Sequence, residues 1–342
     1  MNNKKKKLLI LTDDRGQFYS STKEPGGSMN LSMLKKGFEK LGYVTDVIKF
    51  SEVQFKRGSF GSFFVIYQST EDPDLRYKDY IEDILMGLLM SGARLIPNLQ
   101  YFRAHHNKVF MEILRKKLKY GGFINSFQFG ALEDLIDFEE NITCPVVIKP
   151  ASGSKSNKIT LAKNKKQLLR DASNISRSFT LTNTKRAIKS FFTRRGYKPI
   201  SNNRKKFIVQ KFISGFSGDY KVLVYADKYY VVRRENRSRD FRASGSGLLS
   251  FPEKVPEGLL NFAESVFKKS KVPFMGMDIG IKNGVSYLIE FQFICMGNYA
   301  LEKSNFYFKK IGREWKIIRK KSLLEEEFIR SIDKYIKKNA TN

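Results

Sequence analysis

The sequence predicts an open α/β domain with a parallel sheet, followed by an α+β region made of strand–loop–strand units and hairpins. Three observations carry that expectation. First, apolar strands at Leu8 to Leu11, Val44 to Phe50, Phe63 to Gln68 and Ala93 to Pro97 alternate with helical periodicity over Asn30 to Leu41 and Tyr80 to Met90. Strands that alternate with helices need crossover connections, and these give parallel sheets. Second, the stretch CPVVIKPASGSKSNKITLAKN, Cys144 to Asn164, runs from a β-branched strand ending at Lys149 through a small-residue loop into a second strand. Third, Lys282-Asn283-Gly284 separates two strand-like runs, a strong hairpin signal.

A chain of 342 residues has room for two or three domains, each with its own core. No apolar run approaches the roughly 18–20 residues of a membrane span. Lys4 to Lys7 before Leu8 to Leu11 superficially suggests a leader, but the apolar part is short and Asp13 and Asp14 follow at once. Cys144 and Cys295 are the two cysteines, both in apolar strand-like contexts, which suits a reducing, cytoplasmic setting and excludes a disulfide framework. A net charge of +29 attracts polyanions: nucleic acid, an anionic surface or an acidic polymer. Between Lys185 and Lys206 lie nine basic residues and no acidic one, with Phe191, Phe192 and Tyr197 interleaved.

In chain order, the first strand leads into the loop TDDRGQFYSSTKEPGGS, and the third into STEDPDLR. Ligands of parallel sheets gather at the carboxyl ends of strands, so both loops are candidates for a substrate rim. No GxGxxG follows the first strand, so dinucleotide binding is not expected. Arg103 to Lys119 reads as an amphipathic helix or its approach, and His105 and His106 near its start are the only histidines. Adjacent residues point to different sides of a helix, so the two form a poor metal pair and a structural role is expected. The loop Ala151 to Asn157 can bring backbone N–H groups close to an anion, with Lys149 adding a point charge. It is not a P-loop, since a strand rather than a helix follows.

Lys165 to Phe179 and Asn183 to Arg195 read as helices, Phe207 to Phe212 as a strand, and Tyr220 to Tyr225 with Tyr229 to Arg233 as a hairpin around Ala226-Asp227-Lys228. The run ENRSRDFRASGSG follows, dense in arginine. Pro256 suits the first turn of a helix reaching Lys269. Ser322 to Lys338 reads as a surface helix.

Glu290 and Gln292 lie two apart in a strand and share a face, with Phe291 and Phe293 turned to the core. Asp278 sits on the partner strand. A carboxylate pair there could hold Mg²⁺ together with nucleotide phosphates. A tight Asn283-Gly284 turn, however, pairs Asp278 with Ile289 and sends Asp278 and Glu290 to opposite faces. The metal reading therefore requires an odd loop or a bulge.

Six elements in order, HNK (Lys108), IKPASGS (Lys149), VQKFISG, GDYK, DFR and D…EFQ, resemble the ATP-grasp superfamily of carboxylate–amine ligases over roughly residues 100 to 300. The resemblance implies a parallel α/β domain at 1–102, a nucleotide-binding subdomain at 103–212 with a lid loop at 151–157, and a second α+β subdomain at 213–342, the last two clasping the nucleotide. It implies ATP and Mg²⁺ (or Mn²⁺) as cofactors. Lys108, Lys149 and the loop residues Ser152, Gly153, Ser154 and Ser156 would meet phosphates. Gln210, Lys211, Phe212 and Ile213 would read adenine through backbone groups. Lys221, Arg233 and Arg242 would face the cleft, Arg242 steadying an acylphosphate. Asp278, Glu290 and Gln292 would hold metal. Lys211 stands where a glutamate is usual, and Gln292 where asparagine is usual; a second metal site and a catalytically dead scaffold both stay open on that account. Partners implied are a carboxylate and an amine, one of them anionic or polymeric; homo-oligomerisation is left open. Phosphotransfer to another acceptor and nucleic-acid binding remain alternatives.

Overall fold

A computed structural model describes residues 6–18, 27–55, 60–69, 75–153, 158–178, 185, 201–236 and 248–340. The first layer is the expected parallel sheet. Strands β1 (Lys7–Thr12), β2 (Val44–Lys49), β3 (Phe63–Tyr67) and β4 (Arg94–Ile96) lie in the order β2-β1-β3-β4. Successive residues of β1 feed two different cores, Leu8 and Ile10 one, Leu9 and Leu11 the other. That is why the strand reads as an unbroken apolar run: both faces of a parallel sheet are covered. Helix α1 (Leu31–Lys40) starts where Asn30 accepts a hydrogen bond from the Met33 N–H. Helix α2 (Arg76–Met90) begins ahead of the expected Tyr80.

The amphipathic stretch expected as one helix is two, α3 (Leu99–His106) and α4 (Lys108–Lys117). Asn107 breaks it with extended backbone and caps α4, its side chain accepting from the Phe110 N–H at 3.2 Å. Asparagine at such a position satisfies one of the donors a helix start leaves open.

The second layer is antiparallel: β5 (Ser126–Phe129), β6 (Val146–Pro150), β7 (Thr160–Ala162) and β8 (Phe207–Lys211), in the order β5-β8-β6-β7. Helices α5 (Leu132–Ile136) and α6 (Lys165–Ser176) close its core around Leu135, Ile148, Leu168 and Phe207. The second helix expected there, at 183–195, lies outside the described residues, as does nearly all of the basic segment before residue 201.

The third layer holds β9 (Gly218–Tyr225), β10 (Lys228–Glu235), β11 (Leu249–Ser250), β12 (Phe274–Lys282), β13 (Val285–Gln292), β14 (Tyr307–Ile311) and β15 (Glu314–Ile318), with the main path β13-β12-β9-β10-β14-β15. Lys228 pairs with Tyr225, so the first hairpin turns on Ala226-Asp227 alone. Helix α7 (Leu259–Ser270) starts after Gly258 at φ +81°, three residues beyond Pro256. A short α8 (Tyr299–Glu302) precedes β14.

The last helix, α9 (Leu324–Ala340), was expected on the surface, yet one face is core. Phe328, Ile332 and Ile336 join Leu8, Phe38 and Tyr225 in one cluster. The Asn30 N–H donates to Glu325 Oε1 at 2.9 Å, and Tyr43 Oη to Asp333 Oδ1 at 3.0 Å. The C-terminal helix therefore ties the third layer to the first.

Candidate functional site

On the second layer, β6 ends at Lys149 and Pro150, and the chain leaves through Ala151, Ser152 and Gly153, the last at φ +123°. Ala151 is held from two sides. Its N–H donates to the Lys206 carbonyl at 3.1 Å, and its carbonyl accepts from the Lys108 N–H at 2.8 Å. The Asn107 break thus frees the Lys108 backbone to grip the loop, and Lys108 Nζ donates to the Gly153 carbonyl at 2.9 Å. Lys149 Nζ donates to Gln210 Oε1 at 2.8 Å, while Gln210 Nε2 is buried without a partner. Burial pushes the Lys149 ammonium below the ordinary lysine value, with Glu290 of the third layer pulling it back up. Lys108 thus grips the loop while Lys149 is held on β8, and Lys149 feels both the Lys108 charge and the carboxylate expected as a metal ligand.

The expected hinge is partly committed. The Lys211 N–H donates to the Asn125 carbonyl at 2.8 Å and the Phe212 N–H to Pro145 at 3.2 Å. Gln210 is paired in the ladder with both Ser126 and Val147. An adenine edge would have to meet other groups here, such as the Ile213 N–H or the carbonyls. Ser154, Ser156 and Arg242 lie outside the described residues.

The third layer resolves the register conflict. Lys282 pairs with Val285 and Ile279 with Leu288, as a two-residue turn requires, but Asp278 then pairs with Glu290. Ile289 is an extra residue, a β-bulge, and it brings both carboxylates to one face. Gln292, opposite Gly276, shares that face, while Phe291 and Phe293 pack in the core as expected. On the other flank of β12, Asp278 pairs with Lys221.

Here one expectation is corrected. Arg233 lies opposite Tyr220, one position out of phase with Lys221, and so faces away from the carboxylates. Its neighbour Arg234 takes the place, opposite Asp219. Arg234 Nε donates to Asp219 Oδ1 at 2.7 Å, and its Nη2 lies 2.8 Å from Asp278 Oδ2. Lys221 Nζ stands 3.6 Å from Asp278 Oδ1, an ion pair too long for a hydrogen bond. Burial pushes the Asp278 carboxyl up, but Arg234 and Lys221 outweigh it and hold the group below the usual carboxylate range. Asp219 goes the other way: burial raises it to about 7, against the pull of its hydrogen bond from Arg234.

Asp278 Oδ1 is buried and accepts no hydrogen bond. An open acceptor beside a second carboxylate and an amide oxygen suits a hard divalent cation, which takes one or two carboxylates and fills its shell with phosphates and water. Among the described residues no group of three His, Cys, Asp or Glu side chains could hold a metal alone, so water or phosphate oxygens would complete the shell. The residues present fit Mg²⁺.

His105 and His106 take no part in this cluster. Burial, reinforced by Lys78, pushes His105 down to about 3, which marks a neutral, packed imidazole. The two cysteines are free. Of the expected rim, Gln68 and Ser69 hold the segment after β13: the Cys295 N–H donates to Gln68 Oε1 at 3.1 Å and Cys295 Sγ to the Ser69 carbonyl at 3.0 Å. In the other rim loop, Asp13 Oδ1 accepts from the N–H groups of Arg15 and Gln17. No helix among the described residues is long and apolar enough to cross a membrane.

No family model matches the chain, and no curated relative does. Solved structures are similar. D-cycloserine synthetase DcsG superposes with a TM-score of 0.56 at 12% identity, over 96% of this chain and 99% of that one. D-alanine–D-alanine ligase from Bacillus anthracis gives 0.52 at 14% identity, covering 98% of this chain and 97% of that one. The ATP-grasp ligase PsnB, solved with a precursor peptide and AMPPNP, gives 0.51 at 11%, covering 98% of each. Likeness at such identities speaks to architecture, and with the three layers described above it establishes that this chain has the ATP-grasp fold.

Proposed function

We propose that the protein is an ATP-dependent ligase that joins a carboxylate to an amine. The observation that carries this reading is the bulge at Ile289, which sets Glu290 across from Asp278 on a face that Lys149 of the other antiparallel sheet senses electrostatically. Cations on one sheet and carboxylates on the other are the complementary halves of a metal–triphosphate site. The neighbours in architecture, each named as a ligase or synthetase, support the same reading.

In this proposal Lys108 and Lys149 neutralise phosphate charge, and Ser152 and Gly153, with Ser154 and Ser156, close over it. Asp278, Glu290 and Gln292 would hold Mg²⁺, which would supply positive charge to offset that on the transferring group. Lys221 and Arg234 stand beside the carboxylates to orient an anionic acceptor. Its carboxylate oxygen attacks the γ-phosphorus, ADP leaves, and the amine then displaces phosphate from the acyl carbon. Arg242 is assigned to steady the acylphosphate and the tetrahedral intermediate. The excess of 63 basic over 34 acidic residues supports an anionic substrate, such as an acidic polysaccharide or peptide.

The test is ADP release by the purified protein with Mg-ATP, using pools of amino acids combined with acidic glycans or peptides. Release that needs both co-substrates and vanishes in Lys149→Ala and Glu290→Ala is the expected result. Release with a single acceptor would turn the assignment to phosphotransfer. Nucleic-acid binding without any ATP effect would overturn it.

A further inference from the structure

We infer that Arg115 is a positioning residue for the metal site: it holds the β13 bulge that places Glu290, and it links that placement to the helix that begins with Lys108. The inference rests on the ligase reading for the identity of the metal site, and on independent geometry for the role of Arg115.

The arginine is fully buried, 1% exposed, at the far end of α4. Its Nη1 donates to the Leu288 carbonyl and its Nη2 to the Ile289 carbonyl, the latter at 3.1 Å. In a regular strand successive carbonyls point to opposite edges, so one guanidinium could not take both. The bulge turns them to one side, and the planar fork of an arginine matches two adjacent acceptors. The guanidinium also lies 5.2 Å from the ring centroid of Phe291, the residue between Glu290 and Gln292. The neighbouring loop adds a second clasp, since the Leu288 N–H donates to the Gly122 carbonyl at 3.2 Å. A Cβ at Gly122 would come within 2.4 Å of the Ser286 carbonyl, so this close approach needs glycine.

Charge compensation is local. Arg115 Nη2 lies 3.2 Å from Glu112 Oε1, both side chains at 0% exposure, and Ser126 Oγ donates to Glu112 Oε2 at 2.8 Å. A buried ion pair is a poor way to gain stability, because apolar residues of similar volume serve as well or better. What apolar residues cannot do is accept responsibility for two carbonyls and so hold a register. From Lys108 to Arg115 the helix rises by about 10 Å, so one rigid element grips the phosphate loop at its start and the carboxylate strand near its end.

The test measures Mn²⁺ binding by electron paramagnetic resonance, with a non-hydrolysable ATP analogue present, in the full chain. Two variants are compared with wild type: Arg115→Lys, and the charge-balanced double variant Arg115→Met with Glu112→Gln, which leaves no buried unpaired charge. Amide exchange over residues 286–292 is followed in parallel. We expect Mn²⁺ to bind about 10–100-fold more weakly, metal-free analogue binding to be unchanged, and exchange to speed up in β13 but not in β9 and β10. Mn²⁺ affinity and β13 exchange at wild-type levels in both variants, with Glu290→Gln still abolishing Mn²⁺ binding, would overturn the role of Arg115 and leave the ligase reading intact. Absence of Mn²⁺ binding in wild type would overturn the ligase reading itself, and the metal-positioning role with it.

Discussion

The two antiparallel sheets treat their charges in opposite ways. On the second layer, the cations Lys149 and Lys108 are held by neutral acceptors, Gln210 Oε1 and the Gly153 carbonyl. Neither forms an ion pair with a carboxylate among the described residues, and although Glu290 pulls the Lys149 ammonium up, burial is the larger influence and weakens it. On the third layer, Asp278 and Asp219 share Arg234, with Lys221 close by, so the carboxylates are neutralised from within. Under the proposed function, the difference teaches that one half would receive anions, while the other is already ion-paired without a ligand and would have to share its cations. Stability should therefore depend on the third layer and nucleotide capture on the second.

The largest expected effect is on turnover. Lys149→Met and Glu290→Gln should each lower ADP release about 10²–10³-fold, the usual cost of removing one group that stabilises transition-state charge. Steady-state assays on both check this, and equal activity in either variant would break the pairing of the halves. Next comes stability. Asp219→Ala leaves Arg234 buried with one partner fewer and should cost about 3 kcal/mol in urea unfolding. Lys149→Met removes one hydrogen bond and should cost about 1 kcal/mol. Similar losses in both would mean that the two sheets do not differ in this way.

A smaller effect concerns Gln210, whose Oε1 aims the Lys149 ammonium. Gln210→Leu should weaken nucleotide binding about tenfold, the loss of one hydrogen bond to a charged group, without changing Mg²⁺ dependence; calorimetric titration reads both. A pH effect is expected beside Lys108. His105 is held at about 3 in the folded chain, below its ordinary 6.5, so the unfolded chain binds the extra proton. Its contribution is constant above pH 6.5 and is lost as pH falls toward 3, by about 1 kcal/mol per unit. Asp219, raised to about 7, acts with the opposite sign over pH 7 to 4, because there the folded state takes up the proton. The difference between wild type and His105→Gln isolates the histidine. It should shrink steadily in favour of the variant between pH 6.5 and 4.5, and a flat difference would mean that the imidazole is solvated.

Much of this arrangement could be read along the chain. Alternating strands and helices foretold the parallel sheet, and Lys149 at a strand end before small residues foretold the strand–loop–strand. Glu290 and Gln292, two apart, shared a face as their spacing required. What could not be read was register. Nothing distinguishes Ile289 from an ordinary strand residue, yet its insertion decides whether Asp278 meets Glu290. Arg233 and Arg234 are adjacent, and only pairing against β9 tells which one enters the site. Arg115 sits in a run with Lys116 and Lys117 that resembles a solvated helix end, and only the packing of β13 buries it. The break at Asn107 had a signal, an asparagine just before an apolar helical run. The β14–β15 hairpin also had one, a two-residue Gly312-Arg313 turn between Tyr307–Ile311 and Glu314–Ile318.

The most direct test of two sheets meeting on one metal–triphosphate is calorimetric binding of a non-hydrolysable ATP analogue, with and without Mg²⁺, to wild type, Lys149→Met and Glu290→Gln. The account predicts that Mg²⁺ tightens binding to wild type, that Glu290→Gln abolishes only this tightening, and that Lys149→Met weakens binding under both conditions. Tightening by Mg²⁺ that survives in Glu290→Gln, or binding indifferent to Lys149, would contradict it.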